Sequence, residues 1–579
     1  MNYSLNKTTG KAKLKFFWPF LKDEKLPMFI ALIGILVSSA LNLLAPVLIG
    51  RAIDTYIAAR DLAGLSLVAG QLALVFFGAF IAGYVQTTTM GGVGQRVLYK
   101  LRNTIFSKLE SLPVAFFNQN KAGDLISRIN NDTDKLNQFF SQAIMQFVGN
   151  GFMIIGAGIS LVSINAKLGL AVLVPALILL VITRVTSGLI KKKNAESLQA
   201  TGSFSGAVQE SLENFKVVVA FNRQDYFHTH LAESNEKNYD AALGAGVANT
   251  AFTPIYGLMG NAAQLIAITY GITLVMSGQL TVGLLVSTLT YISRFYDPVR
   301  QIASFWASWQ SALAAADRIH NILELSSNME TVEITAQASG DAVLEFKGVN
   351  FSYPEGKSVL HNVNLAFNAG KTYALVGPTG GGKTTTASLA ARLYDPTAGT
   401  VFLDGQDIRS YSADERTKRI GFILQDPFLF KGTVRDNVVY GNEKFANMTE
   451  EALTKHLEEI GLSKLLTRFD KGLRAEIGNT GGTLSAGQKQ ILAFMRAILR
   501  EPKLLILDEA TANIDTITEQ LLGEALDALP KSTTRIIIAH RLNTIENADE
   551  IFFVNSGEII PAGSLKEAID MLLHKERTS

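Results

Sequence analysis

Residues 372–384 read Thr372-Tyr-Ala-Leu-Val376-Gly377-Pro-Thr-Gly-Gly-Gly382-Lys383-Thr384, an apolar run that breaks into glycines and ends on a lysine and a threonine. The apolar run predicts a buried strand and the residues after Lys383 a helix; the segment between them has the G-x-x-x-x-G-K-[ST] spacing of a phosphate-binding loop. Glycines let backbone N–H groups turn inward around phosphate oxygens. The helix start adds the positive end of its dipole, and Lys383 reaches the terminal phosphates. A glycine-rich turn without a ligand is the competing reading; a strand before and a helix after argue against it. Candidate nucleotide-binding residues are therefore Gly377, Pro378, Thr379, Gly380, Gly381, Gly382, Lys383, Thr384 and Thr385, with Thr384 placed to hold Mg²⁺.

A second apolar strand, Leu504-Leu-Ile-Leu-Asp508-Glu509, ends in two carboxylates. Beside a phosphate loop, such a strand end presents Asp508 to Mg²⁺ and leaves Glu509 to polarise an attacking water. On its own, a strand-end Asp-Glu pair is common.

Composition divides the chain. Up to Leu325 only 44 residues are charged, with a net charge of +8; the following 254 residues hold 60 charged residues and a net −6, so the overall +2 conceals a basic and an acidic part. With a mean hydropathy of +0.21 and 18% charged residues, the chain is not a purely soluble enzyme. It has no character of a nucleic-acid binder. The absence of cysteine excludes a disulfide framework, a thiolate metal site and a cysteine nucleophile.

Stretches of about 20 apolar residues, enough to cross a bilayer, occur at Leu26–Gly50, Ser66–Thr88, Phe139–Ile164, Leu168–Ile190 and Ala245–Met276. A sixth span starts at Leu280 and reaches Ala303 only by running through Arg294, Asp297 and Arg300. These three share one helical flank. Either they line a wet cavity and touch cargo, or Asp297 neutralises its neighbours. Pro298 is expected to weaken the helix there.

Positive charge collects in the connections after the second and fourth spans, from Arg96 to Lys135 and from Arg184 to Lys237. Basic loops stay cytoplasmic, which puts both termini on that side of an inner (cytoplasmic) membrane. The apolar spacing in these connections predicts helices extended beyond the bilayer. The first span follows Lys7, Lys11, Lys13, Lys15, Lys22 and Lys25, and is too long for a cleaved signal peptide.

Between the two carboxylate-bearing and glycine-rich segments lies Leu484-Ser485-Ala486-Gly487-Gln488, which resembles the Leu-Ser-Gly-Gly-Gln signature of ATP-binding cassette (ABC) transporters. The resemblance extends over the whole chain. Gln425 is similar to the Q-loop glutamine, Tyr353 to the adenine-stacking aromatic, Asp515 to the D-loop aspartate and His540 to the switch histidine. The resemblance implies Glu509, His540 and Gln425 as catalytic residues, with Tyr353, Ser485, Gly487, Gln488 and Asp515 as further nucleotide contacts and Thr384, Gln425 and Asp508 around Mg²⁺. It also implies a half-size exporter, with a six-helix membrane domain (residues 1–325), a linker (326–342) and an α/β P-loop nucleotide-binding domain (343–579). The segments Phe116–Asp134 and Glu213–Phe221 are similar to regions near the family's two cytoplasmic coupling elements. Each ATP would lie between the phosphate loop of one cassette and the signature of another, so two half-transporters must pair.

Three departures stand out: Ala486 replaces the first signature glycine, Glu476-Ile-Gly-Asn-Thr-Gly481 lacks a charged Glu-Arg pair, and Ala512-Asn-Ile-Asp515 replaces Ser-Ala-Leu-Asp. With Glu509 intact, the combination resembles the catalytic-glutamate subunit of heterodimeric bacterial exporters, and a backbone strained by Ala486 is expected to cost about 1 kcal/mol. A tolerant homodimer is the alternative. The expected cargo is amphipathic or lipid-like, in contact with membrane lipids. A siderophore-type importer on the same scaffold and a membrane ATPase that regulates a partner are the competing functions.

Overall fold

The computed structural model describes residues 17–120, 122–325, 329, 331–333, 342–353, 356, 358–478, 484–508, 514–538 and 547–575. Glu509 and His540 lie outside these residues, as does Asn479-Thr480-Gly481 ahead of the signature. The chain forms two compact units: one comprises Lys7–Leu109 and Gly123–Glu324, the other Glu110–Ala122 and Leu325–Ser579.

The first unit is helical. Its main helices are α1 (Lys25–Arg51), α2 (Leu62–Glu110), α4 (Ile144–Ile164), α5 (Ala166–Glu213), α7 (Gln224–Thr250), α8 (Phe252–Met276) and α9 (Val282–Leu323); the short α3 (Val114–Gln119) falls in the second unit and the short α6 (Phe215–Ala220) links α5 to α7. Helices α2 and α5 carry on well past their apolar stretches, as their sequence spacing predicts. Among the described residues, five helical runs are long and apolar enough to cross a membrane: Phe17–Ile57, Leu62–Glu110, Ala122–Ile164, Ala166–Glu213 and Gln224–Met276. The expected sixth span is present as α9 but is not among them, because its apolar stretch reaches Arg294 after three turns. Pro298 does not end it: α9 is continuous through that residue. Among the described residues, Arg294, Asp297 and Arg300 form no ion pair, and both Asp297 and Arg300 are exposed.

Helices α1 and α9 meet along a seam of small residues, where a Cβ on Gly283 would fall 2.1 Å from the Gly50 carbonyl oxygen. The Ser287 hydroxyl donates to the Pro46 carbonyl at 2.7 Å and the Tyr291 hydroxyl to that of Leu43. At the head of the seam, Asp54 accepts the Gly283 N–H at 2.7 Å and the Thr281 hydroxyl. Thr281 in turn caps α9 by accepting the Leu284 N–H. Polar groups in an apolar environment are thereby paired and the two backbones brought together.

A second fastening joins the run Ala122–Ile164 to the far end of α9. Asp132, with a side chain 4% exposed, takes two hydrogen bonds of 2.6 Å from Arg318 and one of 3.2 Å from Lys135. Breaking a fully buried pair costs about 3–5 kcal/mol; Arg318 is 42% exposed, so solvent screens part of this. Arg318→Ala is expected to destabilise the protein by about 2 kcal/mol. Asp132→Asn in the same chain should recover part of that loss, read as thermal midpoints of the two variants.

The second unit holds two main sheets. An antiparallel sheet has the order β2-β1-β4-β5, from β1 (Ala342–Ser352), β2 (Ser358–Asn368), β4 (Ala398–Leu403) and β5 (Gln406–Asp407). A six-stranded sheet has the order β12-β11-β3-β10-β9-β6, from β3 (Thr372–Val376), β6 (Ile420–Ile423), β9 (Leu504–Asp508), β10 (Thr534–Ile538), β11 (Glu550–Asn555) and β12 (Glu558–Ala562), with only β12 antiparallel. Two further strands, β7 (Gly432–Thr433) and β8 (Glu476–Ile477), pair separately. The central strands are buried on both faces, which is why Leu504–Leu507 and Ile536–Ile538 read as unbroken apolar runs. Parallel strands deliver their carboxyl ends to one edge, where open α/β sheets bind ligands.

Candidate functional site

Strand β3 leads into the glycine-rich loop and then into α10 (Lys383–Ala390), as the sequence predicts. Gly377, Gly380 and Gly382 have φ of 151°, 81° and 118°, a region that side chains with a Cβ rarely enter. Gly377 has a second reason to be glycine, since a Cβ there would fall 2.0 Å from the Val554 carbonyl oxygen of β11. The loop closes around Lys383, which is 5% exposed and donates to the carbonyls of Gly377 at 2.8 Å and Pro378 at 3.0 Å. The ammonium is thus held inside the loop. Pro378 to Gly381 form a turn closed by the Gly381 N–H donating to the Pro378 carbonyl at 3.2 Å.

Strand β10 separates β3 from β9, yet the ends of all three lie side by side. Ile538 pairs with both Leu375 and Asp508. Across this edge the Thr384 hydroxyl donates to Asp508 at 3.2 Å. A hydroxyl and a carboxylate held together are hard oxygen donors of the kind that suit Mg²⁺. Gln425 lies two residues beyond β6, exposed, with its carbonyl tied to the Gln490 amide at 2.8 Å.

Tyr353 follows β1. Its hydroxyl is 3.0 Å from that of Thr385, and its ring stands edge-on to Phe351 at 4.9 Å and Tyr394 at 5.4 Å. The Tyr394 hydroxyl accepts from the Asn118 amide of α3 at 2.8 Å, and burial pushes its pKa above the ordinary phenol value. Neither Tyr394 nor Asn118 was picked out by sequence motif. The aromatic at the end of Arg392-Leu-Tyr394 is the only local signal, and its partner is 276 residues away.

The signature residues form a second group. Ser485 caps α11 (Ala486–Ile498): its hydroxyl accepts the Gln488 N–H at 3.2 Å while the Gln488 side chain accepts the Ser485 N–H at 2.9 Å, a capping box. Gln488 also donates to the Arg468 carbonyl at 2.8 Å. Asp515 caps α12 (Thr516–Asp527) through the Thr518 N–H and hydroxyl, and these bonds, with Arg468 at 3.3 Å, hold its carboxyl below the usual carboxylate range. Gly487 lies against this cap, as a Cβ there would be 3.1 Å from the Thr518 hydroxyl.

Ala486 departs from expectation. It opens α11 and is not among the residues of positive φ. The replaced glycine position therefore needs no left-handed backbone, and the expected conformational cost is absent. Ser485 and Ala486 are both exposed.

A parallel-sheet ATPase unit with phosphate loop and signature, joined to a bundle of long apolar helices, defines an ATP-driven membrane transporter. Residues 28–299 match the family model of the ABC transporter transmembrane region, and residues 360–512 match the ABC transporter model. The chain is 31% identical to the uncharacterized ABC transporter ATP-binding protein YfiC of Bacillus subtilis, over 96% of this chain and 92% of that protein. It is also 31% identical to a fatty acid ABC transporter ATP-binding/permease protein of Mycobacterium bovis, over 88% of this chain and 82% of that one. With a multidrug resistance ABC transporter ATP-binding and permease protein of Lactococcus lactis it shares 29% identity, over 97% and 95%. The chain belongs to the ABC transporter family, as a half-size, multi-pass exporter-type protein that couples ATP hydrolysis to transport.

Proposed function

We propose that this chain exports amphipathic small molecules or lipids by alternating access, as the catalytic-glutamate half of a heterodimer in the cytoplasmic membrane, with both termini and the cassette on the cytoplasmic side. The observation that carries the reading is the division of the site. Lys383, Thr384 and Asp508 gather around the phosphate loop, whereas Ser485 and Ala486 stand exposed at the start of α11. An exposed signature suits the γ-phosphate of an ATP carried by a second cassette.

In that arrangement Lys383 and the loop N–H groups hold the phosphates, Tyr353 stacks on the base, and the partner's signature is completed by this chain's Glu509 as the group that orients water. Thr384, Asp508 and Gln425 would hold Mg²⁺, which when bound neutralises charge on the phosphates. His540 follows β10, the strand between β3 and β9. Closure of two cassettes around ATP turns the membrane helices outward, and loss of the γ-phosphate reopens them.

The heterodimer rests on Ala486 and its neighbouring departures. Without backbone strain, the effect of Ala486 is its methyl group at the exposed helix start, where a γ-phosphate approaches. The regular backbone of Ala486 favours a homodimer as the second reading. ATP hydrolysis by the purified chain alone in lipid discs, beside Glu509→Gln, separates the two. The heterodimer predicts that the lone chain binds ATP but turns over no faster than Glu509→Gln. Robust turnover dependent on Glu509 establishes the homodimer. As for cargo, a relative named for fatty acids and others named for multidrug resistance are consistent with amphipathic molecules.

A further inference from the structure

The helical run that begins at Phe17 has two unlike faces. Phe17, Phe20, Leu21, Glu24 and Met28 face inward: Phe17 is 6.2 Å from Phe140, and Phe20, Leu21 and Met28 pack on the core of Ala31, Met90 and Val93. The opposite face reads Trp18, Lys22, Lys25, Phe29 and Ile33, at steps of three and four that make one helical stripe. All five are exposed, Trp18 and Phe29 each at 57%. Down this stripe an aromatic residue gives way to two cations and then to apolar residues. The order matches a bilayer boundary, where tryptophan and lysine lie at headgroup depth and aliphatic and aromatic residues below.

Each acid of the segment has a partner on the second long helix, and only Asp23 stays exposed. Glu24 is buried and paired with Arg96 at 2.7 Å, and Asp23 is paired with Lys100 at 2.7 Å. Among the described residues Lys22 and Lys25 form no ion pair, and Lys25 sits 5.5 Å over the Trp18 ring. The two charges on the stripe itself, Lys22 and Lys25, are therefore both cationic. Lys7, Lys11, Lys13 and Lys15 precede it in sequence. Clusters of basic residues beside a membrane helix attract anionic headgroups with about 1 kcal/mol per cation near the surface.

We infer that the face Trp18-Lys22-Lys25 is a binding site for anionic phospholipid headgroups, which anchors the start of the first span and makes the protein's stability depend on anionic lipid. The assignment of this site to the cytoplasmic leaflet rests on the orientation proposed above; the site itself does not. Its occupant is a lipid rather than free phosphate because Leu26, Phe29 and Ile33 continue the same exposed surface into the apolar region.

The test uses the full chain in discs of phosphatidylcholine alone or mixed with phosphatidylglycerol. It reads the thermal midpoint, together with retained lipid by native mass spectrometry. The wild-type chain should gain several degrees in the mixed discs and retain phosphatidylglycerol. Lys22→Gln with Lys25→Gln should lose more than half of that gain, while Lys191→Gln with Lys192→Gln should keep it. An equal gain in the Lys22/Lys25 variant, or no gain in the wild type, overturns the proposal. So does an equal gain from inorganic phosphate in phosphatidylcholine discs, which would mark a general anion site, or loss of the lipid effect when a partner subunit is added, which would mark a protein interface. Discs expose both faces and the readout needs no hydrolysis, so failure of the export reading leaves this result interpretable.

Discussion

Lys383→Ala is expected to lower ATP turnover by at least about 100-fold, the scale on which loss of one preorganised donor to developing phosphate charge is felt. The lysine is buried and its ammonium already lies against the Gly377 and Pro378 carbonyls at 2.8 and 3.0 Å. Little reorganisation is then needed when phosphate oxygens arrive. Alanine removes this charge and leaves the loop carbonyls without their donor, so nucleotide affinity should fall together with turnover. Lys383→Arg should also be strongly impaired, because a planar guanidinium does not fit where a compact ammonium is enclosed. Phosphate release by the active dimer, with ATP binding followed by thermal shift, measures both. Retention of more than about a tenth of wild-type turnover would contradict the role given to Lys383.

Gly283→Leu is expected to have the largest effect on stability. A Cβ at this position would lie 2.1 Å from the Gly50 carbonyl oxygen and 2.5 Å from the Asp54 carboxylate. Helices α1 and α9 must separate to admit it, losing the Gly283 N–H to Asp54 and Ser287 to Pro46 hydrogen bonds, each 2.7 Å. Overpacking costs about 1–3 kcal/mol and each lost hydrogen bond about 1 kcal/mol. The sum should lower the thermal midpoint by many degrees or abolish folded protein. Gly257→Leu is the control, since nothing lies within 4 Å of a Cβ at that position. Equal midpoints for the two variants would show that the seam is not a fixed contact.

The phosphate loop was legible in the sequence because its backbone demands glycine: Gly377, Gly380 and Gly382 occupy conformations that other residues avoid. Long apolar helices were legible because hydrocarbon imposes length. What spacing could not decide was partnership. Arg294, Asp297 and Arg300 share a flank, yet spacing alone does not say that they remain unpaired. Ala486 escapes the sequence for a related reason: a signature glycine can be required by its own φ or by the space a ligand needs, and in the structure α11 simply begins there. The Asn118–Tyr394 bond and the Arg318–Asp132 pair join residues far apart in the chain, and local spacing names neither partner.

The central claim is ATP-driven export, and movement of cargo tests it most directly. Inside-out vesicles holding this chain and its partner half-transporter, or this chain alone if it proves homodimeric, are offered a panel of fluorescent amphiphiles and labelled lipids with ATP. Accumulation of at least one probe, absent with Lys383→Ala, is the predicted result. ATP-dependent hydrolysis without accumulation of any probe, or accumulation only in right-side-out vesicles, would contradict it, the first pointing to a regulatory ATPase and the second to an importer.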